Sequence, residues 1–272
     1  MAAGDAGVIG PKLGEGREAE VHAWGDDAVV KLYRPGYHGH QAEAAALSQL
    51  DGRGVAPRLI DVVDSDGRTG LVLERLGGSD MLTLLQRQPW RVVALAHALA
   101  EAHLAIHEVQ APVDLPDLRL TLAARIEDAA LPTHLLSFAL RVLDGLPTGD
   151  RLCHGDYHPG NVLVAAGRVA VIDWANAARG VPEADHARTL LLLRWANPLP
   201  GTPLMFRGLI AAGRSLLTRA YARTYRSGSS EPLRQLNSWL TVHVAARLSE
   251  GIDVERPKLI GLLDRAWRMA TR

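Results

Sequence analysis

Up to about residue 75 the apolar residues fall in short runs of five or six, the pattern of β-strands. Val8 to Leu13, Ala19 to Trp24 and Ala28 to Tyr33 are separated by GEGRE and GDD. Leu59 to Val63 and Thr69 to Glu74 are joined by the turn sequence Asp64-Ser-Asp-Gly67. One helix, about Gly39 to Leu50, interrupts them. Past Gly77 and Gly78 the period changes. Val92, Val93, Leu95, Ala96, Leu99, Ala102 and Ile106 mark one buried face of a helix from Pro89 to Val109. Leu120 to Asp128, Thr133 to Leu143, Pro182 to Trp195, Leu204 to Tyr225, Glu231 to Ser249 and Glu255 to Ala270 read as further helices, punctuated by Gly201, the stretch 227–230 and Gly251. The pattern predicts an α+β chain, β-rich over 1–75 and helical over 76–272.

One stretch in the helical part departs from that period: CHGDYHPGNVLVAAGRVAVIDWAN, residues 153–176. Val162 to Ala165 and Val169 to Ile172 are β-prone, and Ala166, Gly167 and Arg168 form a three-residue loop between them. If Ala165 pairs with Val169, Asn161 stands opposite Asp173, where Cβ atoms lie about 4.5–5.5 Å apart. An amide oxygen and a carboxylate so placed suit a hard cation such as Mg²⁺. Asp156 precedes Asn161 in a loop that Gly155, Pro159 and Gly160 keep from being a regular helix.

Composition narrows the class. A chain of 272 residues, 47% hydrophobic and 22% charged, can bury a large core in one domain or in two lobes around a cleft. Its start lacks a basic and an apolar signal region, and its longest apolar runs, such as Leu190 to Leu193, are too short for a bilayer. A cytoplasmic protein without membrane attachment is therefore expected. The single cysteine, Cys153, excludes an internal disulfide framework and reads as a small buried filler. Net charge is zero, but residues 1–178 hold 15 Lys and Arg against 23 Asp and Glu, and residues 179–272 hold 15 against 7. The basic part reads as solvated arginine faces. Its arginines are scattered with no aromatic cluster, which argues against nucleic acid as a partner.

The spacing of Asp156, Asn161 and Asp173 matches the kinase pattern of a catalytic Asp, a metal-binding Asn five residues on, and a later metal-binding Asp. HGDYHPGN followed by IDW resembles the aminoglycoside phosphotransferase and choline kinase family. Protein kinases have HRD and DFG there; here Gly155 replaces the arginine and no APE-type segment follows. The resemblance runs along nearly the whole chain, with specific motifs only at 31–43 and 154–173. It implies a two-lobed protein-kinase-like fold: a nucleotide-binding lobe over 1–75, a hinge at 74–78, and a helical lobe over 76–272 with the catalytic loop and acceptor site. It implies ATP and Mg²⁺ as cofactors, Asp156 as the catalytic carboxylate, and Asn161 and Asp173 as metal ligands. Leu13 to Arg17 resembles a shortened glycine-rich loop, which would bring Gly14 and Gly16 to the phosphates. Lys31 lies inside an apolar strand and needs a carboxylate unless it reaches water at an edge; Glu43 is the one acid within the next helix. The pair would steady the nucleotide phosphates. Glu74 and Leu76, through backbone groups, would read adenine. His154 and His158 would brace the loop, and Asp185 would support it from a helix.

The implied activity is transfer of a γ-phosphoryl group to a hydroxyl of an antibiotic, sugar or related metabolite. Two alternatives stay open: a nucleotide-binding scaffold, and a metal-dependent hydrolase built on His154, Asp156 and His158. His103 and His107 lie four apart on a helix, at zinc-ligand spacing, but no HExxH pattern accompanies them, and members of the resembled family often carry a structural His there. Members that phosphorylate polycationic aminoglycosides line the acceptor site with acids from C-terminal helices. Here that region is basic, so a neutral or singly charged acceptor is expected, with Glu183, Glu250 and Asp253 as the acids available to it. Trp195, Trp239 and Trp267 read as core or as a wall of that pocket. Oligomeric state is not legible.

Overall fold

The computed structural model describes residues 9–165, 168–195 and 204–272. Val8, Ala166, Gly167 and Gly201 of the expected elements lie outside them. Five antiparallel strands form the N-terminal sheet: β1 (Ile9–Glu15), β2 (Ala19–Trp24), β3 (Ala28–Tyr33), β4 (Leu59–Ser65) and β5 (Arg68–Glu74), ordered β1-β2-β3-β5-β4. Strand β3 is central, with Lys31 between Val21 and Leu71. Alternation puts Val30 and Leu32 on one face and Lys31 and Tyr33 on the other. Helix α1 (Gly39–Leu50) buries Glu43, Ala46, Leu47 and Leu50.

After the sheet come β6 (Ser79–Asp80), α2 (Met81–Arg87), a 3-10 turn at Pro89–Arg91, α3 (Val92–His107), α4 (Leu118–Glu127) and α5 (Thr133–Asp144). Asp80 and Asp117 cap α2 and α4 by accepting first-turn amides. Short strands β7 (Arg151–Cys153), β8 (Val162–Ala165), β9 (Arg168–Val171) and β10 (Ala178–Gly180) carry the central motif, and α6 (Pro182–Trp195), α7 (Leu204–Gly228), α8 (Leu236–Arg247) and α9 (Arg256–Ala270) complete the chain. One apolar cluster joins residues of the sheet, α1, α3 and α7, and a second joins α4, α5, α6, α8 and α9. Trp239 is buried in the second cluster, and Trp195 and Trp267 pack against it, so all three are core residues. Among the described residues no helix is long and apolar enough to cross a membrane.

Two expectations are corrected. The hairpin register is one residue off: Ala165 pairs with Arg168 and Val162 with Val171. The shorter connection sets two fully buried valines against each other. The Ile172 amide donates to the Asn161 carbonyl at 2.9 Å, so Asp173 lies one residue past the position opposite Asn161. The helix expected from Glu231 begins only at Leu236. Pro232 and the hydrogen bond from the Gln235 amide to Glu183 (2.8 Å) hold 231–235 as a loop.

Candidate active site

Burial of the Lys31 ammonium on β3 demands anions, and the fold supplies two. Lys31 Nζ lies 2.6 Å from Glu43 Oε2 and 2.7 Å from Asp173 Oδ1. Burial alone would lower the lysine's pKa; the two carboxylates outweigh it and hold it above its ordinary value. Glu43 also accepts from the Tyr33 hydroxyl and, at 3.3 Å, from the Trp174 amide. Asp173 reaches the lysine through a left-handed backbone, φ +66°, which turns the chain out of β9. The sheet, α1 and the hairpin thus meet at one ammonium.

The catalytic-motif loop is pinned from inside. His154 is fully buried, with Nε2 3.0 Å from the Ile172 carbonyl and Nδ1 accepting from the Asp156 amide at 3.2 Å. Both ring nitrogens are committed to backbone, which removes His154 from any metal-hydrolase cluster with Asp156 and His158. His158 Nδ1 accepts from the Gly160 amide at 3.0 Å, and its Nε2 lies 3.6 Å from Asp156 Oδ2. Asn161 Nδ2 donates to the Asp156 carbonyl at 3.1 Å, leaving its amide oxygen as an acceptor beside the Asp156 loop. Gly155 has φ +78°, and a Cβ there would stand 2.3 Å from the Asn176 carbonyl. Only glycine fits.

Beneath the loop, Asp185 on α6 accepts from the amides of His154 (2.6 Å) and Gly155 (2.9 Å). His103 and His107 also face its Oδ2, at 3.1 and 3.3 Å. Their Nε2–H groups donate to the carboxylate, so each Nδ1 accepts from a tyrosine hydroxyl, Tyr221 at 2.7 Å and Tyr225 at 2.6 Å. The same two histidines and Asp185 are close enough to hold an ion, but every ligand atom already has a hydrogen-bond partner. Burial opposes ionisation of Asp185, and the two histidines outweigh it, holding its carboxyl well below the ordinary range.

The phosphotransferase enzyme family model matches residues 11–226. The chain belongs to this family. A thermostable mutant of aminoglycoside phosphotransferase APH(4)-Ia, in apo form, superposes with TM-score 0.65 at 18% identity over 96% of this chain and 94% of that one. A choline/ethanolamine kinase family protein from Mesorhizobium loti gives 0.61 at 18% identity, over 99% and 88%. Amicoumacin kinase hAmiN, solved with AMP-PNP, Ca²⁺ and Ami, gives 0.61 at 15% identity, over 95% and 86%. These likenesses show the two-lobed kinase-like fold. No curated protein sequence matches the chain.

Other parts of this phosphotransferase's site were not foreseen. Arg188, one helical turn after Asp185, is 5% exposed, and its Nη2 donates to Asp156 Oδ1 (3.1 Å) and Glu250 Oε1 (2.8 Å). Arg247 holds the other oxygen of Glu250 (2.7 Å) and also Glu255 (2.9 Å). Burial would raise the Asp156 pKa, but His158 and Arg188 overcome it and set it well below the carboxylate range. The spacing from Asp185 to Arg188 puts both on one helix face, a signal the sequence does carry. Of the expected acceptor acids, Glu250 is beside Asp156 but tied by two arginines. Glu183 holds the Gln235 amide, and Asp253 is exposed with no side-chain hydrogen bond to a described residue. In the segment expected to be the hinge, the Glu74 side chain accepts from the Arg58 amide (3.1 Å) and pairs with Arg168 (3.0 Å). The Leu76 amide has no hydrogen-bond partner among the described residues. Strand β1 runs through Gly14 to Glu15, so the turn falls at Gly16 to Glu18. Burial, then the Asp173 charge, raises the pKa of Glu18.

Proposed function

We propose that the chain is an ATP-dependent small-molecule O-kinase with Asp156 as its catalytic carboxylate. The observation that carries this reading is Lys31 held between Glu43 and Asp173 across 142 residues of sequence. A scaffold without chemistry has no need to bring a buried ammonium to the hairpin that follows the catalytic loop. Lys31 would bind the nucleotide phosphates, the Leu76 amide and Glu74 carbonyl would meet the base, and Gly14 and Gly16 would border the phosphates. Asn161 Oδ1 and the Asp173 carboxylate are hard oxygen donors that fit Mg²⁺. When bound, the ion neutralises phosphate charge and orients the transferred group.

Asp156, kept ionised by Arg188 and His158, accepts a hydrogen bond from the acceptor hydroxyl and aligns its oxygen. As the oxygen–phosphorus bond forms, the bond from γ-phosphorus to the bridging oxygen breaks, ADP leaves, and the hydroxyl proton passes to Asp156 and then to water. The brace under Gly155 keeps the loop from moving during this step. Arg188 and Arg247 tie up Glu250 and Glu255, so neither acid is free for a polycationic acceptor. ADP release with Mg²⁺-ATP and a panel of hydroxylated acceptors tests the reading. Asp156→Asn should lose roughly 10²–10⁴ in kcat. No ADP release by wild type on any acceptor would leave only nucleotide binding, the scaffold reading, and equal release by wild type and variant would remove Asp156 from the chemistry.

A further inference from the structure

Between α4, Gly155 and the turn 174–178 lies a cavity of about 110 Å³, lined by Arg125, Asn176, Asp185 and His243 among others. Arg125 is partly buried and its Nη2 donates to the amide oxygen of Asn176 at 2.8 Å. No carboxylate among the described residues lies within ion-pair distance of it. The neighbouring guanidiniums differ: Arg188 has Asp156 and Glu250, and Arg247 has Glu250 and Glu255. Burial, and next the Arg188 charge, lower the Arg125 pKa, so its surroundings favour an anion at the guanidinium.

A second observation points to a ligand. His243 is 4% exposed, lines the cavity, and its Nε2 has no hydrogen-bond partner. The ring bonds the Ala184 backbone and burial keeps it neutral, so the free Nε2 is a lone pair that takes a donor. A buried polar atom without a partner costs free energy that a ligand can return. Asp185 also lines the cavity, but its oxygens already accept from His103, His107 and the amides of His154 and Gly155. The space holds several waters, hence a carboxylate or phosphate head but no antibiotic ring system. Its wall includes Gly155, one Cα step of 3.8 Å from Asp156.

We propose that this cavity is an anion subsite for the acceptor. The carboxylate or phosphate monoester of a small hydroxylated molecule binds Arg125, one of that molecule's O–H groups donates to His243 Nε2, and its acceptor hydroxyl reaches Asp156. This rests on the kinase reading, and it replaces the expected neutral or singly charged acceptor with an anionic one, a hydroxy acid or a sugar-phosphate-like alcohol.

The test has two arms on the full chain. Calorimetry with inorganic phosphate and with acetate should show binding by wild type that Arg125→Gln loses at least tenfold. ADP release is then compared for glycerol, glycerate and glycerol 3-phosphate, which share one carbon frame and separate carboxylate from phosphate. At least one charged acceptor should exceed glycerol tenfold in kcat/KM, through KM. Arg125→Gln should collapse that ratio, and Arg125→Lys should restore part of it. In wild type, added phosphate should inhibit turnover of the charged acceptor far more than that of glycerol, a result independent of any variant's folding. An equal loss on all three acceptors in Arg125→Gln, or no preference in wild type, overturns the subsite while leaving the kinase. Phosphate binding that depends on Arg125 without ADP release from any acceptor keeps the subsite and overturns the kinase reading.

Discussion

Arg188 shows how one side chain sets the chemistry of another. A carboxylate as enclosed as Asp156 would by burial alone resist ionisation. The guanidinium 3.1 Å away, itself nearly inaccessible, and His158 reverse that balance. Asp156 is therefore ionised across the whole neutral range and well into acid, so the acid limb of kcat in the wild type does not come from it. In Arg188→Met the Coulomb attraction goes and the burial stays, so the carboxyl pKa rises. We expect an acid limb set by Asp156 to enter the kcat–pH profile of Arg188→Met above the wild-type limb, with Arg188→Lys intermediate. Superimposable profiles for wild type and Arg188→Met would remove Arg188 from the positioning of Asp156.

At the scale of elements, the hairpin of β8 and β9 is locked to the segment 74–78 by one glycine. Gly78 has φ +99°, and a Cβ there would sit 2.4 Å from the Val164 carbonyl on β8. Gly77 beside it faces open space. Gly78→Ala should destabilise the protein by about 2 kcal/mol or more and raise the KM for ATP. Gly77→Ala should stay within about 0.5 kcal/mol of wild type in urea unfolding. Similar losses in both would mean the close approach is unimportant. Gly77 and Gly78 were visible in the sequence, but only the fold distinguishes them. Elsewhere, what was legible had a local cause. Lys31 in an apolar strand and Glu43 as the one acid in the next helix name each other, and the offsets 156, 161 and 173 survive any register. The hairpin register did not survive, because a two-residue connection and a three-residue one are equally compatible with Ala-Ala-Gly-Arg. Arg125 and Asn176 lie 51 residues apart and meet only through tertiary packing, as do Arg188 and Glu250, so no local pattern announces them.

At the scale of the molecule, a second consequence follows from packing so many histidines inside. His103, His154, His186 and His243 are all buried, and burial, the largest cause, lowers the pKa of each, to about 3 for His103 and His243. In the unfolded chain each takes a proton near 6.5. Between about pH 6.5 and 3 the unfolded state therefore binds protons that the native state refuses, and stability must fall as pH falls through that window. Asp185 acts in the same direction lower down: its folded pKa is depressed, so its contribution is present above the unfolded carboxylate value and lost on further acidification. With zero net charge near neutrality, general charge repulsion adds little there. Urea midpoints should hold near pH 7 and above, then drop steeply from about pH 6.5 to 4. Each histidine contributes up to about 1.4 kcal/mol per pH unit to that slope. His243→Gln should give a shallower fall by up to that amount, because one refused proton is gone. A midpoint that stays level from pH 7 to 4.5 would mean that the histidines are protonated in the native state, and the hydrogen-bond directions assigned around Asp185 would have to change with it.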